Sequence, residues 1–114
     1  MTIQELGTIM QNKIGVKILI LNNSRLGMVR QWQHLFFHKR YSFTTLENPD
    51  FTKIAQAYNI PARQISKPEE IEEALTEMIE AKGPYLLEVS VRTDENVFPM
   101  VPVGASLSNL ILEE

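Results

Sequence analysis

This sequence of 114 residues predicts an α/β fold, a three-layer arrangement with a parallel sheet and helices on both faces. Three observations carry the prediction. Segments with helical and strand patterning alternate in the order helix, strand, helix, helix, strand, helix, strand, which suits parallel strands joined by right-handed crossovers. The run Val16 to Leu21, V-K-I-L-I-L, is apolar on both of its faces, as a strand between two helical layers must be. Polar capping patterns open the helical segments, and turn residues close the strands. A start on a helix is unusual for this class and suggests that the fold's first strand is missing from the sequence.

Thr2-Ile3-Gln4-Glu5 matches a capping box, in which Thr and Glu each satisfy an orphan backbone donor. Ile3, Leu6, Ile9 and Met10 then follow at helical spacing. The strand Val16 to Leu21 ends on the turn signal Asn22-Asn23. Met28, Val29, Trp32, Leu35 and Phe36 predict a short helix within Leu26 to Tyr41, followed by irregular chain through Thr45. The next helix is expected to have Asn48 as cap and Pro49 at its first position, with Phe51, Ile54, Ala55 and Tyr58 facing the core. A short strand, Ala62 to Ile65, precedes a second capping box, Ser66-Lys67-Pro68-Glu69. Ile71, Ala74, Leu75, Met78 and Ile79 form the apolar face behind it. Lys82-Gly83-Pro84 stops that helix, and Tyr85 to Val91 is the last strand.

Composition narrows the function classes. Lys and Arg number 11 against 14 Asp and Glu, a net charge of −3, which gives no footprint for nucleic acid or an anionic membrane. There is no cysteine, which excludes a disulfide scaffold, a thiolate zinc site and a cysteine nucleophile. Hydrophobic residues make up 44% and mean hydropathy is −0.12, as in an ordinary globular domain. The longest charge-free run, Asn96 to Leu112, is broken by Pro99, Pro102 and Gly104, so no segment is expected to cross a bilayer. The length suits one domain.

Several residue groups can be weighed as sites. Asn22 and Asn23 lie where open α/β sheets bind ligands, and an Asn carboxamide oxygen suits Mg²⁺; the plainer alternative is a turn. Gly27 would let backbone amides approach a phosphate. His34 and His38, four apart, have a spacing that can place two metal ligands on one helix face, against the plainer alternative of ordinary packed or exposed histidines. Met28, Trp32, Phe36 and Phe37 are either core or the wall of an apolar pocket. Glu69, Glu70, Glu72, Glu73, Glu77 and Glu80 are expected to form a solvated helix surface. No Ser-His-Asp arrangement or phosphate-binding glycine loop can be drawn.

Longer motifs carry a resemblance. L-N-N-S-R-L-G-M-V-R-Q-W-Q (Leu21 to Gln33) resembles the second half of the thiamin-diphosphate motif of biosynthetic acetolactate synthase (acetohydroxyacid synthase) catalytic subunits. M-T-I-Q-E-L-G-T resembles the helix that follows that family's G-D-G-S segment. N-P-D-F-x-x-I-A-x-A-Y and N-V-F-P-M-V-P-x-G-A-S-L match as well, so the likeness runs the full length.

The resemblance implies a C-terminal part of a thiamin-diphosphate-binding domain over residues 1–114, with a mobile active-site loop at 26–41 and a C-terminal lid at 93–114. It implies Asn23 as a side-chain ligand of Mg²⁺, Arg25 as a ligand through its backbone carbonyl, and the amides of Gly27 and Met28 against the diphosphate. Met28, Val29 and Trp32 would line the pocket for the second 2-keto acid. The implied parent reaction condenses pyruvate with pyruvate or 2-ketobutyrate, with loss of CO₂, in branched-chain amino-acid biosynthesis. FAD, the first Mg²⁺ ligand and the catalytic Glu would lie outside these residues, so no catalytic residue is expected here and the isolated chain should be inert. Implied partners are the rest of the catalytic subunit, a homodimeric mate and a regulatory small subunit, in a bacterial cytoplasm, plastid or mitochondrion. In the family's strand order the last strand lies between the other two, leaving Val16 to Leu21 at an edge with Lys17 as its one charge. A homo-oligomer unlike the parent's is the expected cover for that edge. The alternative is a free-standing α/β module that binds a small anion or a partner.

Overall fold

A computed structural model describes residues 3–113. Helix α1 (Glu5–Asn12) leads into strand β1 (Lys17–Asn22), and helix α2 (Gly27–Phe36) follows. Then come α3 (Phe51–Ala57), β2 (Ala62–Ile65), a 3₁₀ turn at Pro68–Glu70, α4 (Ile71–Glu80) and β3 (Tyr85–Ser90). The element order is the expected one. All strand pairings are parallel, in the order β1-β3-β2, so the last strand is central. Lys17 pairs with Tyr85 at one end of β1 and Asn22 with Ser90 at the other, while Ala62 to Ile65 match Leu86 to Val89.

The chain divides into two compact units. The first runs to Asn23 and resumes over Glu47–Val91. Alternation along its strands builds two cores. Leu6, Ala55, Ile60 and Leu86 are buried on one face, with Ile18, Ile20, Phe51, Ile54 and Tyr58 packed around them, so α1 and α3 cover this side. Ile65, Ala74, Met78, Tyr85 and Leu87 are buried on the other face, under α4.

Several local expectations are corrected. Thr2 of the first capping box lies outside the described residues, and α1 starts from Gln4 without a side-chain cap. The cap of α3 is Asp50, not Asn48: its Oδ1 accepts from the Lys53 amide at 3.0 Å and the Thr52 hydroxyl at 2.6 Å. Those donors, Thr52 first, hold the Asp50 carboxyl well below the usual carboxylate range. Asn48 is engaged elsewhere, donating to Asn22 Oδ1 at 2.8 Å. Ahead of α4 the capping carboxylate is Glu70 rather than Glu69; it accepts from the Lys67 amide at 3.1 Å.

Two surfaces also differ from expectation. Ile71 and Ile79 are 41% and 68% exposed, because only the Ala74–Met78 stripe of α4 meets the sheet. Glu73 and Glu77 are not merely solvated, since Arg63 on β2 reaches them at 2.9 and 3.1 Å. On β1, Ile18 and Ile20 pack inward, whereas Leu19 and Leu21 are 47% and 64% exposed. Lys17 does not guard this edge, because its ammonium donates to the carbonyls of Ala81 and Gly83 just past α4.

The second unit comprises Ser24–Leu46 and the segment from Arg92 onward. Its backbone is tied by Leu26 N–H to Thr44 O and by Leu46 N–H to Ser24 O, both 2.9 Å. Met100 and Ile111 exchange two further bonds in an antiparallel bridge. No described helix is long and apolar enough to cross a membrane.

Candidate functional site

The turn after β1 is built from the sheet outward. Asn22 is the last residue of the strand, on the face shared with Ile18 and Ile20. Its Nδ2 donates to Glu88 Oε1 at 2.7 Å, and its Oδ1 accepts from Asn48 Nδ2 at 2.8 Å. The Asn22 carbonyl accepts from the Val91 amide at 3.0 Å. Both ends of its carboxamide thus serve the fold. Glu88 is the residue that sequence reasoning missed here. It is 3% exposed on the central strand, and a lone carboxylate within Y-L-L-E-V-S was its signal.

In the second unit, Arg25 pairs with Thr45 between the two bonds that flank them, so this is the pair that exchanges no backbone hydrogen bonds. The Arg25 side chain donates to Thr45 Oγ1. Helix α2 starts at Gly27 from Leu26, which provides no side-chain cap, and its first internal bond is Arg30 N–H to Leu26 O. The amides of Gly27 and Met28 precede that bond and lie in the electropositive first turn, which suits a diphosphate oxygen. By donor type, a carboxamide oxygen and a backbone carbonyl suit a hard cation, and the first-turn amides of α2 suit a phosphate group.

Two cavities lie in this unit. One of about 500 Å³ is lined by Val29, Trp32, Gln33, Phe37 and Arg40, with the Phe36 ring tilted 57° against Trp32 at a centroid distance of 5.2 Å. Val29 and Trp32 thus share a wall. Met28, half exposed, is not among the lining residues. The other cavity, about 390 Å³, is bordered by Arg30, His34, Arg92, Asp94, Glu95, Asn96 and Phe98. Its charges largely answer one another: Arg92 meets Glu95 at 2.7 Å, and the Thr93 hydroxyl, helped by nearby arginines, lowers the Asp94 carboxyl.

His34 and His38 follow the plainer of their two readings. His34 lies on α2 and bonds Tyr41 through Nδ1, whereas His38 lies beyond the helix end with φ +54°. Among the described residues no cluster of three His, Cys, Asp or Glu could hold a metal. Gln31 was also missed as a structural residue. It is 1% exposed and binds Val97 twice, Nε2 to O and Oε1 to N–H, both 2.8 Å.

Comparison with known proteins adds independent findings. The family model described as "Thiamine pyrophosphate enzyme, C-terminal TPP binding domain" matches residues 1–89. The Escherichia coli K12 acetolactate synthase isozyme 2 large subunit is 51% identical over 97% of the chain, which spans 20% of that protein. The mitochondrial acetolactate synthase of Schizosaccharomyces pombe is 49% identical over 100% of the chain and 17% of its own length. A chloroplastic Zea mays acetolactate synthase is 41% identical over 99% of the chain and 19% of its own. Among solved structures, a thiamine diphosphate-dependent 4-hydroxybenzoylformate decarboxylase of Rhodococcus jostii RHA1 superposes with a TM-score of 0.73 at 28% identity, over 82% of this chain and 18% of that one. The chain thus spans about a fifth of the length of these relatives.

Proposed function

Given that this chain belongs to the thiamine pyrophosphate enzymes, as part of their C-terminal TPP-binding domain, we propose that it forms the diphosphate-binding half of the cofactor site in an acetolactate synthase catalytic subunit. The parent activity would be the condensation of pyruvate with pyruvate or 2-ketobutyrate, with release of CO₂. The observation that carries this reading is the strand end itself. A parallel β1 ends on Asn22-Asn23; Arg25 follows two residues after Asn23, and α2 starts without a side-chain cap at Gly27, two residues further on.

In this reading Asn23 holds Mg²⁺ through its side-chain oxygen and Arg25 through its backbone carbonyl. The Gly27 and Met28 amides bind the diphosphate and fix its orientation. When bound, thiamin diphosphate supplies the electron sink for decarboxylation and carbon–carbon bond formation. Met28, Val29 and Trp32 shape the room for the second 2-keto acid and exclude water from it. Residues 26–41 act as a mobile active-site loop and 93–114 as a closing lid. The catalytic Glu, FAD and the remaining metal ligand belong to other parts of the catalytic subunit. A homodimeric mate and a regulatory subunit complete the assembly, in cytoplasm, mitochondrion or plastid. By itself the 114-residue chain binds neither Mg²⁺ nor the cofactor tightly, because Mg²⁺ sheds water reluctantly without a carboxylate ligand.

The test is Asn23→Ala in the polypeptide that carries this chain. Magnesium-dependent binding of thiamin diphosphate, followed by calorimetry, should fall by at least about tenfold, together with acetolactate formation. Wild-type affinity in that variant refutes the ligand assignment.

A further inference from the structure

The role of Glu88 goes beyond the ligand assignments, although it rests on Asn23 being the metal ligand. A carboxylate 3% exposed on the central strand, flanked in register by Ile20 and Gln64, is costly to bury and needs a partner. Its carboxylate accepts from Asn22 Nδ2 at 2.7 Å, and Asn22 Oδ1 in turn accepts from Asn48 Nδ2 at 2.8 Å. The chain Glu88–Asn22–Asn48 therefore joins the central strand, the end of β1 and the entry to α3. At the same residue the Val91 amide holds the Asn22 carbonyl at 3.0 Å. Side chain and backbone of Asn22 are thus both pinned, one residue before Asn23.

We infer that Glu88 is a positioning residue for the metal site, acting through Asn22 to fix the backbone from which Asn23 presents its oxygen. Successive side chains at a strand end point to opposite sides, so a carboxamide locked toward Glu88 directs its neighbour away from the core. Asn22 could not be locked this way by an apolar residue at 88, which would leave its Nδ2 without that acceptor. A solvent-facing partner alone would hold it less firmly, since Asn48 is exposed and water competes for it. Outer partners of ligand-bearing groups typically change metal affinity about 10- to 100-fold when removed.

The experiment compares Glu88→Leu, Glu88→Gln and Asn48→Ala with Asn23→Ala in the polypeptide that carries this chain. It reads Mg²⁺-dependent thiamin diphosphate affinity by calorimetry beside the melting temperature. Glu88→Leu should weaken Mg²⁺ affinity at least about tenfold, and Asn48→Ala about threefold or more, while Glu88→Gln, which keeps an acceptor oxygen, stays within about threefold of wild type. In the 114-residue chain, hydrogen exchange at the Val91 amide should quicken in Glu88→Leu and Asn48→Ala while Leu87 stays protected. A lowered melting temperature with unchanged Mg²⁺ affinity and unchanged Val91 exchange marks a purely structural role and overturns the inference. If Glu88→Leu does not fold, the exposed Asn48→Ala decides by the same readings. Unchanged affinity in Asn23→Ala refutes the ligand assignment itself, whereas loss there with wild-type behaviour in the other variants refutes only the role of Glu88.

Discussion

Replacing Gln31 by Met should release the segment around Val97 from α2 without unfolding the helix. Gln31 is 1% exposed, and its carboxamide both donates to the Val97 carbonyl and accepts from the Val97 amide at 2.8 Å. Methionine keeps the length, helix propensity and burial of the side chain but removes both bonds. Val97 itself is 63% exposed, so water can reach its backbone once the segment lifts, and the full penalty for an orphaned buried group does not apply. The loss at Val97 is therefore two net hydrogen bonds, about 2 kcal/mol in the local opening equilibrium, beside a weak Nε2 bond to Met100 Sδ at 3.3 Å that is also removed. That corresponds to about 30-fold faster exchange of the Val97 amide. Hydrogen exchange followed by NMR reads it directly, with the Met100 and Ile111 amides as internal reporters of the neighbouring bridge. Gln31→Glu keeps the acceptor but sets a buried carboxylate against the Val97 carbonyl, and should quicken exchange at least as much as Gln31→Met. Exchange at Val97 within about threefold of wild type, with α2 intact, would refute the reasoning.

The remaining expectations concern the first unit. Burial, helped by the Glu77 carboxylate, pushes the Tyr85 hydroxyl up to about 12 from 10.0, so its contribution is complete below pH 10 and is lost as pH rises through 12. Urea unfolding from pH 9 to 12 should show Tyr85→Phe escaping a loss of about 2 kcal/mol that the wild type suffers; parallel curves would contradict this. The Glu77 carboxyl is held below its usual range, first by the Tyr85 hydroxyl and then by Arg63, so Glu77→Gln should flatten the fall in stability below about pH 4.5, an effect absent if the two acid limbs coincide. Leu87, fully buried at the middle of the central strand, should cost about 2–5 kcal/mol on replacement by Ala, measured by calorimetric unfolding. Leu19→Lys with Leu21→Lys should reduce self-association in sedimentation while leaving the melting temperature nearly unchanged, because these side chains, not Ile18 and Ile20, face outward from β1. Undiminished association would show that this edge is not the contact.

Periodicity and turn chemistry alone determined the element order, the parallel sheet and most core positions. Ala62–Ile65 was bounded to the residue, and Phe51, Ile54, Ala55 and Tyr58 face the core as their spacing requires. Such features are legible because backbone period and side-chain polarity are local properties of the chain. Membership of the family was equally legible, since the motif from Leu21 to Gln33 is contiguous. What the sequence could not decide was which of several chemically equivalent groups finds a partner across the fold. Asn48 and Asp50 can both cap a helix, and only the approach of β1 gives Asn48 to Asn22 and leaves the cap to Asp50. Lys17 reads as an edge charge until α4 ends beside it. Ile71 and Ile79 fit an apolar stripe, yet the width of a three-stranded sheet sets how much of α4 can be covered. Glu88 and Gln31 look like ordinary polar residues in sequence. Their burial comes from partners 66 residues away in each case, and pairings at that distance exist only once the tertiary structure has formed.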